Sequence, residues 1–273
     1  MNLTETLEIV ARTDPGRVRS HNEDSVFASP ALGLAILADG MGGYNAGEVA
    51  SGMATALLST SLAEAMANGQ LSLGANSSYE QVHAFLGERI AEANTAIFRS
   101  AQSQPQYAGM GTTLVLSLFF DNRLTVAYLG DSRLYRLRGE TLEVLTHDHS
   151  FLQEQIDSGV ITPEQARFSQ NRNLVTRALG VDPLVNPDQF DFAVEAGDIY
   201  LLCSDGLNDM VSDEEIALTL QALGANLPLA AEQLVEMAND NGGRDNISVI
   251  LVKIKGDFAA PRGWWRKLLA WLK

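Results

Sequence analysis

The chain has 273 residues, 46% of them hydrophobic and 19% charged, with a formal net charge of −15. That length and balance suit an ordinary globular core, as one large domain or two small ones, and exclude a disordered chain. The excess of acid argues against nucleic acid as a general partner, and no apolar run approaches the roughly 20 residues needed to cross a bilayer.

The N-terminal MNLTETLEIV lacks the basic and apolar regions of a signal peptide. A cytoplasmic location is therefore expected. Cys203 is the only cysteine, which rules out an internal disulfide and suits a reducing compartment. It sits in an apolar run with nothing basic beside it, as a buried structural thiol would.

Residues 5–39 contain three predicted strands, LEIVART, SVFASP and LGLAILA, separated by turn-rich segments. Two helices follow. Ala46–Met66 is rich in Ala, Leu and Met, and Tyr79–Ala101 places Val82, Phe85, Leu86, Ile90, Ala93 and Ile97 at helical spacing. Strands resume at TTLVLSLFF, RLTVAYLG, SRLYRLRG and TLEVLT, with Asp121-Asn122 and Arg138-Gly139 as hairpin turns. From His147 to Leu184 short helical pieces (FLQEQIDSG, PEQAR) and the polar FSQNRN read as an insertion over the sheet edge. QFDFAV and IYLLCS return to strand, DEEIALTLQALG and LPLAAEQLVEMAND are helical, and ISVILVKI is the last strand. Strands in runs with helices grouped between them indicate an α+β layered domain, not an alternating βαβ fold.

Three apolar runs end at an aspartate. LGLAILA leads into Asp39-Gly40, LTVAYLG into Asp131-Ser132 and IYLLCS into Asp205-Gly206, while Asp245-Asn246 precedes ISVILVKI. Any one of these could simply close a turn, since Asp-Gly is a favoured turn pair. Four carboxylates at strand ends, however, can converge on one rim of a sheet. Crowded carboxylates raise one another's pKa unless something positive sits among them, and hard divalent cations take oxygen ligands of this kind. These aspartates span more than two hundred residues, so a single fold must gather them.

To these are added Arg19 with Asn22-Glu23-Asp24, the glycine-rich Asp39-Gly40-Met41-Gly42-Gly43, and Gly130-Asp131-Ser132-Arg133. Ser204-Asp205-Gly206-Leu207 and Asp245-Asn246 complete an ordered series. From about Arg12 to Lys255 this series resembles the metal-dependent Ser/Thr protein phosphatases, the PPM or type 2C family, in their bacterial form. The resemblance implies two packed antiparallel sheets, a β-sandwich, flanked by α-helices on both sides. It implies a phosphatase domain over residues 1–257, with a flap at about 150–179, and a separate tail at 258–273. The implied activity is hydrolysis of phosphoserine and phosphothreonine in proteins, by water or hydroxide bridging two Mn²⁺ or Mg²⁺ ions. Asp39 would bridge both ions, Gly40 would lend its carbonyl to the second, and Asp205 and Asp245 would complete the first. Glu23 or Asp24 would hold the second, directly or through water. Asp131, with Asp205, would match a third, weaker site, and Arg19 would clamp the substrate phosphate. Many eukaryotic members carry a histidine where this chain has Met41, so another group must protonate the leaving alkoxide. The alternative is a catalytically silent relative that binds or senses, and intact carboxylates at every motif disfavour it.

Three elements stand outside this series. His147-Asp148-His149 has the look of a metal cluster, but the i, i+2 pair reads as a hydrogen-bonded loop. Arg167, Arg172 and Arg177 are placed in the flap to meet a phosphopeptide or solvent. The tail from Arg262 to Lys273 holds all three tryptophans and four basic residues, so the total of −15 is +4 here and −19 elsewhere. On a helix its Trp and Leu side chains would face away from Arg266, Lys267 and Lys273, which suits an anionic membrane surface or an acidic partner. A monomer is expected.

Overall fold

The computed structural model describes residues 3–43, 46–75, 77–162, 165 and 174–260. Its strands are β1 (Leu7–Asp14), β2 (Asp24–Ser29), β3 (Leu34–Met41), β4 (Gly111–Thr112), β5 (Leu114–Phe120), β6 (Arg123–Leu129), β7 (Arg133–Arg138), β8 (Thr141–Val144), β9 (Asp188–Ala193), β10 (Ile199–Cys203) and β11 (Ile247–Ile254). The helices are α1 (Ala46–Asn68), α2 (Tyr79–Ser103), α3 (Phe151–Asp157), α4 (Asp205–Asn208), α5 (Asp213–Leu223) and α6 (Leu227–Asp240).

The strands form two antiparallel sheets. One runs β1-β11-β10-β7-β8 and the other β2-β3-β5-β6-β9, with β4 paired to the end of β3. The sheets pack face to face through Leu37, Val115, Phe119, Val126, Tyr128, Tyr200, Leu202, Ile250 and Val252. The alternate residues point outward and are covered in turn. Leu34, Ile36, Leu116 and Leu118 meet α1 and α2 through Leu58, Leu62, Leu86 and Ile90. On the other side Leu201, Cys203, Val249 and Leu251 meet α5 and α6 through Ile216, Leu220 and Leu234. Antiparallel strands usually leave one face wet and alternate in polarity. Here both faces are buried, which is why β10 reads as an unbroken apolar run, β5 as one broken only by Ser117, and β11 as one broken only by Ser248 and Lys253.

Local signals agree with these elements. Ser78 and Gln81 form a capping box at the start of α2, and Ser212 and Glu215 form one at α5. Asp121 (φ 46°) and Asn122 (φ 54°) both adopt the left-handed conformation, as a two-residue hairpin between β5 and β6 requires. At that turn the last described residues are tied down. Phe258 N–H donates to Asn122 Oδ1 at 2.7 Å and Ala260 N–H to Asp121 Oδ1 at 2.7 Å. Apart from Gln165, the helical piece expected at PEQAR lies outside the described residues, as do Arg167, Arg172 and the tail from Arg262.

Candidate metal centre

β3 does not turn at Asp39; it runs on through Gly40 to Met41. Asp39 stands directly opposite Asp24 across the β2–β3 pair. Its backbone is gripped from β4 and the residue that follows it. Asp39 N–H donates to Thr113 Oγ1 at 3.0 Å, and its carbonyl accepts from Thr112 Oγ1 and from Thr113 N–H, each at 2.9 Å. Asp131 lies where the chain crosses from β6 in one sheet to β7 in the other, after Gly130 at φ 98°. Ser132 Oγ lies 2.8 Å from Thr113 Oγ1 and ties that crossover to the same framework. Asp205 opens α4 immediately after β10, and Asp245 precedes β11. The four aspartates therefore do share one rim of the sandwich, and Glu23 and Asp24 join them.

Close backbone approaches make this possible. A Cβ on Gly206 would stand 2.0 Å from the Asn246 carbonyl oxygen, and one on Gly40 would stand 2.2 Å from that of Gly47. Only glycine lets α4 lie on the start of β11, and β3 on the start of α1.

The electrostatics follow from crowding. The surrounding protein, then the charges of Asp24, Asp205, Asp131 and Asp245, push the Asp39 carboxyl well above the usual range. Asp205 is pushed well above it by burial and by Asp131, Asp245, Asp209 and Asp24. Burial raises Asp24 to about 6, and burial with Asp148 and Asp209 raises Asp131 to about 7. Glu23 is raised by burial, against the opposing pull of Arg19 and the Gly47 N–H.

Arg19 is half-exposed at this rim, with its Nη2 2.7 Å from Asp245 Oδ2. A guanidinium has five N–H donors, so this contact leaves others for an anion. Asp24 Oδ2 accepts from Ser204 Oγ at 2.8 Å, while Asp24 Oδ1 is buried with no hydrogen-bond partner among the described residues. Among the described residues, no three carboxylate, imidazole or thiol groups stand as a ready set for one ion. What exists is a ring of mutually repelling oxygen donors, with Asp245 drawn to Arg19 and Asp24 to Ser204. An orphaned carboxylate oxygen among raised acids, with only oxygen donors at hand, fits a hard divalent cation.

The sequence did not disclose the scaffold behind these acids. Asn246 is its hub: Nδ2 donates to the carbonyls of Pro15 (3.0 Å) and His21 (2.9 Å), and Oδ1 accepts from Glu23 N–H (2.8 Å). Its place beside Asp245 was the only clue. Beside the rim opens a cleft of ≈ 980 Å³, with Asp131 and Asp205 in its wall, α3 on one side and Asp213–Glu215 on the other. Met41 ends β3 opposite Gly111 and offers no proton.

The profile of the protein phosphatase 2C family matches residues 17–247, across every motif just placed. The chain belongs to that family. A serine/threonine phosphatase, stp, from Listeria welshimeri is 40% identical over 245 residues, covering 89% of this chain and 94% of that one. The serine/threonine protein phosphatase PstP of Mycobacterium tuberculosis is 42% identical over 252 residues, covering 92% of this chain; the chain spans 46% of that relative's length. A crystal structure of the catalytic domain of PstP in complex with 2 manganese ions matches with a TM-score of 0.78 at 40% identity, over 92% of this chain and 99% of that one. This type 2C phosphatase thus has the sandwich, the flanking helices and the family membership that its motifs predicted.

Proposed function

We infer that the chain is a metal-dependent protein phosphatase that hydrolyses phosphoserine and phosphothreonine in proteins, with Mn²⁺ or Mg²⁺ as its cofactor. The observation that carries this is the gathering of Asp24, Asp39, Asp131, Asp205 and Asp245 on one rim, where burial and like charge raise the first four, with Arg19 beside them. When bound, a divalent pair supplies counter-charge, a water poised as nucleophile near neutral pH, and electrostatic pull on the phosphoryl group. Asp39 would serve both ions, and the Gly40 carbonyl the second of them. Asp205 and Asp245 would serve the first, and Glu23 or Asp24 the second, directly or through water. Asp131 and Asp205, in the cleft wall, would hold a third ion more weakly. The planar fork of Arg19 receives the substrate phosphate and orients it. The silent alternative is set aside, because no carboxylate position is lost and the relatives are named as phosphatases.

The test is hydrolysis of p-nitrophenyl phosphate and of a phosphothreonine peptide, with Mn²⁺ and after chelation. Turnover that Mn²⁺ restores is expected, and turnover indifferent to chelation would overturn the reading.

We further propose a monomer in the cytoplasm, without nucleic acid as a partner, and a tail, expected at 258–273, whose residues after the anchored Phe258 and Ala260 meet an anionic membrane surface or an acidic protein. The net charge of −15 and the lone cysteine support the first part, and the basic, tryptophan-bearing sequence supports the second. Sedimentation with phosphatidylglycerol vesicles, comparing the full chain with one ending at Pro261, tests the membrane form. Equal pelleting of the two, or none, would remove it.

A further inference from the structure

The triplet His147-Asp148-His149 has no part in the chemistry above, yet each of its side chains fastens a different segment. His147 Nε2 meets Asp157 Oδ2 at 2.7 Å, at the end of α3. Asp148 takes the Arg133 guanidinium from two sides, Nε to Oδ1 at 2.9 Å and Nη2 to Oδ2 at 2.7 Å. His149 is buried, its ring stacked on Tyr128 with centroids 5.1 Å apart.

His149 holds Gly130 by two bonds. Its Nδ1 accepts the Gly130 N–H at 3.2 Å, and its own N–H donates to the Gly130 carbonyl at 2.9 Å. A ring nitrogen that accepts from an amide carries no proton, so that bond puts the ring proton on Nε2, aimed at Asp188 Oδ2 at 3.3 Å. Arg177 Nη1 stands 2.8 Å from the same nitrogen but is itself only a donor, so its hold on the cluster runs through Asp188, where Nη2 meets Oδ1 at 2.8 Å. The backbone continues the clasp: Thr176 N–H donates to the His149 carbonyl, and Phe151 N–H to that of Leu174, each at 2.8 Å. Gly130, at φ 98°, has no side chain to fix its conformation. The bonds from His149 therefore fix the peptide that aims Asp131, while the same residue roots α3, whose Leu152 and Ile156 line the cleft.

Resting on the phosphatase reading above, we propose that His149 is a positioning residue that sets the Asp131 carboxylate through Gly130 and the α3 wall of the cleft through Asp188 and Arg177. The two tasks use different ring nitrogens and can be separated. Asn in place of His149 puts Oδ1 where Nδ1 stood, so it keeps the Gly130 bond and loses Asp188. Phe keeps the stacking on Tyr128 and loses both.

The experiment is a Mn²⁺ titration of p-nitrophenyl phosphate hydrolysis and a phosphopeptide KM for the full chain, H149N, H149F and D188N, each checked by thermal melting. For H149F, a rise of about tenfold in half-activating Mn²⁺ is expected from an amide left unpaired. H149N and D188N are expected to keep the wild-type Mn²⁺ requirement and to raise the phosphopeptide KM about threefold, a fraction of one hydrogen bond. A folded H149F with the wild-type Mn²⁺ requirement overturns the proposal, as does H149N impaired in metal response as much as H149F. Should H149F not fold, H149N and D188N decide alone, and an unchanged peptide KM in both overturns the cleft arm. A wild type without Mn²⁺-dependent turnover would strike the phosphatase reading itself, whereas an active wild type with indifferent variants strikes only the coupling.

Discussion

Asp39 sits among like charges, with four aspartates raising it in addition to burial. An acid whose pKa is raised by folding opposes the fold once ionised, so at neutral pH its charge is a destabilising element until a cation arrives. Asp39→Asn keeps the shape and removes that charge. The variant is expected to lose phosphatase activity by more than about a hundredfold, beyond the range of changes behind the ligands. Without metal it should melt above wild type by a few degrees, at about 2–4 °C per kcal/mol for a domain of this size. With Mn²⁺ the order should reverse, because only wild type gains by mass action. Calorimetry with chelator and with Mn²⁺ checks both, and a variant less stable than wild type in chelator would contradict the repulsion argument. Arg19→Ala belongs to the same scale. It should raise the phosphopeptide KM most, with a smaller fall in kcat; an unchanged kcat/KM would remove the phosphate role.

Among the elements, the short helix α4 carries Asp205 and lies on β11 through Gly206, whose missing Cβ leaves the 2.0 Å approach to the Asn246 carbonyl. Gly206→Ala must push α4 off the strand, which carries Asp205 away from Asp245. A loss of about 1–3 kcal/mol from overpacking is expected, together with a raised Mn²⁺ requirement. Gly52, inside α1, has open space where a Cβ would go, so Gly52→Ala should stabilise by about 0.5–1 kcal/mol and leave activity alone. Equal effects of the two, measured by denaturant unfolding, would show that the close approach does not matter. This contrast also marks how far the sequence could be read. The long elements were legible, because their apolar runs reflect strands covered on both faces and α2 kept its helical spacing. α4, with four residues, and β4, with two, are too short for periodicity to register. The aspartates were legible as strand-end residues, but Asp39 continues its strand instead of turning. The ties through Asn246, Ser204 and Thr113 join residues far apart in the chain, and no local pattern records them.

At the scale of the whole molecule, opposite ends of the sandwich treat their acids in opposite ways. At the catalytic rim Asp24 is raised to about 6 and Asp131 to about 7, both from 3.8. At the other end of β10, burial would raise Asp198, but it is outweighed by Arg138, which reaches Oδ1 and Oδ2 at 2.7 Å each, and by the Glu195 N–H. Asp198 is therefore lowered, and its contribution is present above the unfolded value and lost as pH falls through the folded one. The rim acids act the other way: stability is lost as pH rises from the unfolded value through about 6 and 7. Metal-free protein should thus melt highest near about pH 4 and decline above it, and Mn²⁺ should flatten that decline. Melting curves across pH with and without Mn²⁺ check this. A metal-free protein whose stability climbs steadily to pH 8 would contradict it.

The tie of Phe258 and Ala260 to the Asp121–Asn122 turn has a geometric corollary. β5 runs from Leu114, near the crossover that bears Asp131, to Phe120 at that turn, a span of about 20 Å. Ala260, the last described residue, is therefore held at the pole opposite the acids. A partner domain joined at that point would begin a full strand's length from the rim, with its junction clear of the acids.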